Sequence, residues 1–188
     1  MLNRGMWFVI KELPFDDSMV KSARRWSDEL GGIKNSITKG KGNAAGRLGE
    51  IALANYLLVD VQDHKEYDII YQGKTIEVKT KRRSVAPQGF YEASVARTST
   101  HQSPDHYAFI SLEFKDSGFY GKPAKGMKRR GGKWYKNLQK IWLCGDIDAE
   151  EFWKKAILME RGDRDESNNF TTHVDMFNIR VDQLGESF

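Results

Sequence analysis

The segment Glu66-Tyr-Asp-Ile-Ile-Tyr-Gln-Gly-Lys-Thr-Ile-Glu-Val-Lys-Thr80 leaves the chain few options. Two short runs of alternating character flank Gln72-Gly73, a pair suited to a tight turn, so the segment reads as a β-hairpin. A two-residue turn sets Tyr71 opposite Lys74, Ile70 opposite Thr75, Ile69 opposite Ile76, and Asp68 opposite Glu77. Side chains alternate faces along a strand, which puts Asp68, Ile70, Thr75, Glu77 and Lys79 on one side. Opposed residues have Cβ atoms about 5 Å apart, and two carboxylates at that spacing repel by about 3 kcal/mol at an effective dielectric near 20. Stability gives no reason to keep such a pair. A divalent cation between them turns the repulsion into a binding site.

A second carboxylate is out of place upstream. Residues 44–58 read as a helix, and at 100° per residue the wheel neighbours of Glu50 are Gly46, Leu53, Ala54 and Leu57, an apolar face. A glutamate there either carries its head out to water along the edge of the stripe or points into a site. Gly46, one turn earlier, leaves room beside it, and the nearby helix N-terminus favours negative charge. The carboxylate hairpin that follows favours the site.

The rest of the chain frames these residues. Its 188 residues, 39% hydrophobic and 30% charged, fit one globular domain with a substantial core. No apolar run is long enough for a membrane span, and the start MLNRGMWFVIKEL is too short and too quickly charged for a secretory signal. The single Cys144 lies in an apolar segment and reads as a buried, inert thiol; zinc-cluster spacings are absent. A reducing, cytoplasmic compartment is expected.

A short strand is expected within residues 1–13, a helix capped by Asp16-Asp-Ser18 and running to about Leu30, and a loop over 33–43. Further strands are expected at Phe90–Ala96, Tyr107–Phe114 and Lys140–Cys144. Asp148-Ala-Glu-Glu151 is a capping box opening a helix through about Leu158. Residues Gly162–Asn169 read as polar loop, and Met176–Leu184 as a last, edge strand. The fold class this gives is α/β, a mixed central β-sheet flanked by helices. Residues 1–188 form a single domain with an N-terminal helical extension over about 1–43 and a basic insertion over about 115–140.

Charge is unevenly spread. Of the net +4, residues 146–188 carry 11 acids and 5 Lys/Arg, a net of −6, which leaves +10 on residues 1–145. The cations cluster at Lys34, Lys39, Lys41 and Arg47, at Lys79, Lys81, Arg82 and Arg83, and from Lys122 to Lys136. Any one cluster is plainly read as a solvated face. Two of them flanking a carboxylate site point instead to a polyanionic partner. Between Lys115 and Lys140, Phe119, Tyr120, Trp134 and Tyr135 interleave with cations that include Lys128, Arg129 and Arg130, a composition suited to nucleic acid. A twisted hairpin with its aromatics on the core is the alternative.

Glu50 on a helix opened by GRLGE, Asp68 on a strand, and Glu77-Val-Lys79 on the next strand together resemble the PD-(D/E)XK nuclease superfamily. That superfamily includes restriction endonucleases, phage exonucleases and junction-resolving endonucleases. The resemblance covers roughly residues 44–114, with Ile141–Ile157 as a later strand and helix. Tyr67 stands where the family's proline precedes the Asp. The resemblance implies a restriction-endonuclease-like core (αβββαβ) and divalent-metal-dependent hydrolysis of DNA phosphodiesters, in an intracellular and even phage-encoded setting.

Asp68 and Glu77 supply the hard oxygens that suit Mg²⁺, with Mn²⁺ able to substitute. The carbonyl of Val78 adds a further ligand, and Glu50 serves a second metal or orients the nucleophile. Lys79 steadies the attacking hydroxide or offsets charge on the phosphoryl group; its plain structural alternative is a cross-strand ion pair with Glu66. Lys81 is placed to meet a phosphate, whereas Arg82 and Arg83 grip the backbone further off. Glu92 and Ser94 either line the cleft or pack, and His101 and His106 receive no chemistry.

The leading reading is a DNA endonuclease. The alternatives are an exonuclease or Holliday-junction resolvase of the same fold, an RNase or other phosphate-ester hydrolase, and a DNA-binding module that does not cleave. A resolvase or double-strand cutter needs two active sites, hence a homodimer. The joint presence of Glu50, Asp68, Glu77 and Lys79 argues against a non-cleaving module.

Overall fold

The computed structural model describes residues 10–30, 43–115, 137–165 and 170–185. The basic clusters at 34–41 and 122–136, with Lys128, Arg129, Arg130 and the aromatics around them, lie outside that set.

The chain forms a mixed α/β structure around a five-stranded sheet in the order β1 (Lys11–Leu13), β6 (Leu138–Asp148), β5 (His106–Phe114), β3 (Lys74–Arg83) and β2 (Ile69–Tyr71). Neighbours run antiparallel except β3 and β5, which are parallel. The hairpin register is the expected one, with Ile69 opposite Ile76, Ile70 opposite Thr75 and Tyr71 opposite Lys74. Gln72 and Gly73 both take positive φ, 48° and 77°, as a two-residue turn with the twist of its strands demands. Lys115 donates its N–H to the Asn137 carbonyl beside the antiparallel pair β5–β6.

Alternation along these strands builds two cores. On one face Ile76, Val78, Ala108, Ile110, Leu112, Ile141 and Leu143 meet α1 (Asp17–Leu30) and α2 (Asn43–Leu57), which bring Met19, Val20, Ala23, Leu48, Leu53 and Ala54. Helix α1 starts where Asp16 accepts the N–H of Met19 at 3.0 Å. The N-terminal stretch is thus built into the fold, with β1 on the sheet edge and α1 in the core.

On the other face Tyr107, Phe109, Cys144 and Ile147 pack against Phe152 of α3 (Ala149–Lys155) and against a small antiparallel sheet. That sheet runs β4 (Glu92–Ala96), β10 (Met176–Arg180), β7 (Ile157–Met159). A two-stranded ribbon of β8 (Arg164–Asp165) and β9 (Phe170–Thr171) completes the described elements. Between Leu143 and Ile147 the ladder slips at Gly145, which takes φ +136°. A Cβ there would stand 2.8 Å from that of Leu184, so glycine is required.

Two expectations are corrected. Helix α3 stops at Lys155, and Ile157–Met159 form a strand instead of the helix's last turn. The β-branched and apolar run Ile157-Leu-Met159 finds a partner in β10, and tertiary pairing overrides the helical pattern. For the same reason β10 is the centre of its sheet and not an edge, since β4 and β7 pair with its two sides. The connection from β3 to its parallel neighbour β5 carries β4 and a single 3₁₀ turn at Arg97–Ser99, with no α-helix. Among the described residues, no helix is long and apolar enough to cross a membrane.

Candidate active site

Strand β2 has three residues and β3 has ten, so β3's outer edge outruns its partner. Asp68 fills the start of that gap. Its N–H donates to Ile76 O at 2.9 Å, so Asp68 and Ile69 both face Ile76 in the manner of a bulge. Its Oδ2 accepts the N–H of Val78 at 2.7 Å. The face-to-face pairing of Asp68 with Glu77 expected from a regular ladder is therefore replaced by a tighter arrangement. The bulge turns the Asp68 carboxylate onto β3's backbone, where a peptide N–H offsets the neighbouring charge. A residue's N–H and C=O point to the same edge of a strand, so the Val78 carbonyl faces this side as well.

Glu77 and Lys79 lie on the β3 face away from α2, and both are largely buried. Lys79 Nζ donates to Glu77 Oε1 and to Gln102 Oε1, each at 2.8 Å. The ion pair expected between Lys79 and Glu66 does not form. Regular pairing ends at Ile69, leaving Glu66 exposed, while the i, i+2 spacing of Glu77 and Lys79 makes them same-face neighbours.

Glu50 comes from α2. Arg47 Nη1 holds its Oε2 at 3.1 Å, and Arg47 is itself fixed by Asp63 at 3.2 Å and by stacking 4.7 Å from the Trp26 ring. Glu50 feels the charge of Glu77, and Asp68 feels Glu50, Glu77 and Lys79. Burial raises the Glu50 carboxyl to about 6, against the pull of Arg47 and with a push from Glu77. Burial, then Glu50 and Glu77, raise Asp68 to about 9, against the pull of the Val78 N–H and Lys79. Asp68 therefore carries its proton at neutral pH unless positive charge joins it.

Glycine matters here at one position other than expected. A Cβ on Gly46 would rest 3.9 Å from Glu50 Oε1, an ordinary contact. A Cβ on Gly49 would stand 2.1 Å from Thr80 Oγ1. Gly49 lets α2 lie close against β3, which brings Glu50 to the Asp68 edge.

Carboxylate and carbonyl oxygens are the donor types that suit a hard divalent cation. Among the described residues, no three His, Cys, Asp or Glu side chains stand gathered as a ready cation cage. Each carboxylate is instead held by a donor of the chain: Glu50 by Arg47, Asp68 by Val78 and Glu77 by Lys79.

The remaining residues fall on either side of this centre. Lys81 and Arg83, expected to meet phosphate and to grip the backbone further off, point inward and donate to the Glu92 carbonyl at 3.0 and 2.9 Å. Tyr91 stacks on its guanidinium at 4.6 Å and the β4 crossover covers it. Arg82 alternates to the opposite face. His106 pairs with Asp146 at 3.3 Å and His101 meets the Thr98 carbonyl, partners outside the acidic cluster. Cys144 is buried, its thiol pushed up to about 12. Sequence reading missed Gln102 and Asp63, both in loops without pattern. Arg47 carried one hint, the i, i+3 spacing to Glu50.

No protein-family model matches this sequence, and comparison with curated proteins and with solved structures returns no match.

Proposed function

We propose that the chain is a divalent-metal-dependent DNA endonuclease with a restriction-endonuclease-like core formed by α2, β2, β3 and β5. The observation that carries this reading is that Asp68 lies within electrostatic reach of Glu50, Glu77 and Lys79, with the Lys79 ammonium donating to Glu77 at 2.8 Å. A buried Glu77 with half-buried Glu50 and Asp68 within reach of one another is poor for stability, and a hydrolytic site accounts for it.

Asp68, Glu77 and the Val78 carbonyl would hold Mg²⁺ or Mn²⁺, with Glu50 serving a second position or a bound water. Such a cation, when bound, supplies an acidified water and positive charge beside the phosphoryl oxygens. The chain's own residues do the rest. Lys79, steadied by Gln102, keeps a compact positive charge next to the reacting phosphate and offsets the charge that builds there. Arg47, braced by Trp26 and Asp63, fixes where the Glu50 carboxylate sits. The excess of cations over residues 1–145 favours a long polyanion over a small ester.

The test is incubation of the full chain with supercoiled, linear, single-stranded and four-way-branched DNA, with and without Mg²⁺ or Mn²⁺. Ion-dependent nicking or linearisation of the supercoiled form is the expected result. Digestion only from ends, or only at branches, moves the reading to an exonuclease or a resolvase. No reaction on any DNA overturns it and leaves a binding module.

A further inference from the structure

Beyond Lys79, the same face of β3 closes over a cavity of about 150 Å³ between the main sheet and β4. A cavity of about that size accommodates a benzene-sized guest. Its lining is rich in donors. Lys79, Lys81 and Arg83 line it in succession along β3, with Ser111 from β5, Cys144 from β6 and Glu92 from β4. Lys81 Nζ and Arg83 Nη2 share a single acceptor, the Glu92 backbone carbonyl, and neither forms an ion pair among the described residues. Arg83 Nε and the hydroxyl of Ser111 are buried with no partner among the described residues, and Ser111 is only 1% exposed. Buried donors in a native protein ordinarily find acceptors.

We infer that this cavity is a phosphate-binding pocket, with Lys81, Arg83 and Ser111 as its donors, opening beside the Lys79 end of the candidate active site. A phosphate group offers several acceptor oxygens and up to two negative charges, which match two cations and a hydroxyl. The two nearby acids do not cancel this character. The Glu92 carboxylate is engaged with Asn178 Nδ2 at 2.8 Å, and it and Asp165 favour the Lys81 ammonium less than burial and Arg83 disfavour it. Burial and then Arg83 lower the Lys81 ammonium to about 8, a cost that a bound anion would offset. The Cys144 thiol stays neutral and adds no negative charge. The pocket's use as a substrate subsite rests on the nuclease reading, but its affinity for phosphate does not.

The plain structural account is that Lys81 and Arg83 only clamp β4 to the sheet, and Ser111 separates the two accounts. Removing an unpaired buried hydroxyl leaves the clamp intact and costs the fold little. The measurement is thermal melting of the metal-free full chain in inorganic phosphate against chloride at matched ionic strength. Phosphate should raise the melting temperature of the natural chain, less so for Ser111→Ala, and not at all for Lys81→Met. Equal rises in all three proteins, or none in the natural chain, overturn the pocket.

Duplexes with phosphorylated and hydroxyl ends identify the source of the group. Tighter binding of the phosphorylated end, lost in Ser111→Ala, assigns it to the nucleic acid. Equal binding of both ends beside a phosphate-induced rise assigns it to free phosphate. DNA cleavage without any phosphate effect sinks the pocket and spares the nuclease. A phosphate effect without cleavage of any DNA does the reverse.

Discussion

One face of β3 carries two kinds of charge, and the chain treats them differently. At the Glu77 end, Glu50, Asp68 and Glu77 lie within electrostatic reach of one another without forming a gathered cage, and each is answered by a donor that belongs to the fold: Arg47, the Val78 N–H or Lys79. At the Arg83 end, two cations share one carbonyl, and two further buried donors have no partner among the described residues. The acidic end is compensated in the protein alone, and even so burial and mutual repulsion hold Asp68 near 9. At the basic end Glu92 and Asp165 act on the cations only in part, and burial still lowers Lys81. On the reading proposed above, each end would gain from what the other lacks, a cation at Asp68 and an anion near Lys81. A phosphodiester accompanied by a metal ion carries both.

The sharpest way to break this comparison is to remove the acidic end's chemistry without its shape. Asp68→Asn, Glu77→Gln and Lys79→Ala should each lower DNA cleavage by about 10²–10⁴-fold. Affinity for DNA, measured by gel shift in Ca²⁺, should stay largely unchanged. Loss of cleavage and binding together would make these residues scaffold, and unchanged cleavage would remove the site.

Next in size is a stability effect with a definite sign. A folded Asp68 near 9 against an ordinary 3.8 means the native state keeps a proton the unfolded chain releases. Metal-free stability should therefore fall as pH rises from about 4 toward 9. Asp68→Asn, which keeps an acceptor for Val78 N–H, should abolish that fall and stabilise the metal-free protein at pH 8 by on the order of 2 kcal/mol. The gain should vanish near pH 4. Urea titrations at several pH values measure it, and a variant less stable than the natural chain at pH 8 would show that the carboxylate is a net support.

A smaller effect tests how the two ends of the site are held together. Gly49→Ala places a methyl against Thr80 Oγ1, 2.1 Å away before any shift, and should cost about 1–3 kcal/mol. It should also weaken cleavage by moving Glu50 off the Asp68 edge. In a Thr80→Ala background the penalty should shrink, because the hydroxyl that is struck is gone. Equal penalties in both backgrounds would mean that helix propensity and not packing governs the position.

What could be read in advance divides along physical lines. The hairpin register and its turn were legible because a period of two and a Gln-Gly pair are local signals. Glu50 stood out because a carboxylate on an apolar stripe breaks a pattern. The bulge at Asp68 left no trace, since it arises from the mismatch in length between β2 and β3. Gln102 was equally hidden, because it reaches Lys79 from a loop 23 residues away. The inward turn of Lys81 and Arg83 depends on β4 crossing over them, and β4's place in a separate sheet is set by pairing with β10, 86 residues after Glu92 along the chain in the Asn178 contact. Non-local pairing of that kind is what a single sequence carries least.

The smallest expected effect concerns cations outside the described residues, where β5 passes to β6. Neutralising Lys128, Arg129 and Arg130 should leave cleavage chemistry intact and flatten the salt dependence of DNA binding. Every phosphate that the variant no longer neutralises should reduce the slope of log affinity against log salt by about 0.9. On the nuclease reading, Lys128, Arg129 and Arg130 and the buried Lys81–Arg83 pair would act on the same polyanion in different ways. These three cations should contribute mainly counterion release, so their removal shifts slope across all sequences alike. The buried pair should contribute affinity for a particular phosphate group with little change in slope. An unaltered slope in the triple variant, together with a flattened one in Lys81→Met, would reverse that assignment and place the electrostatic contact on β3.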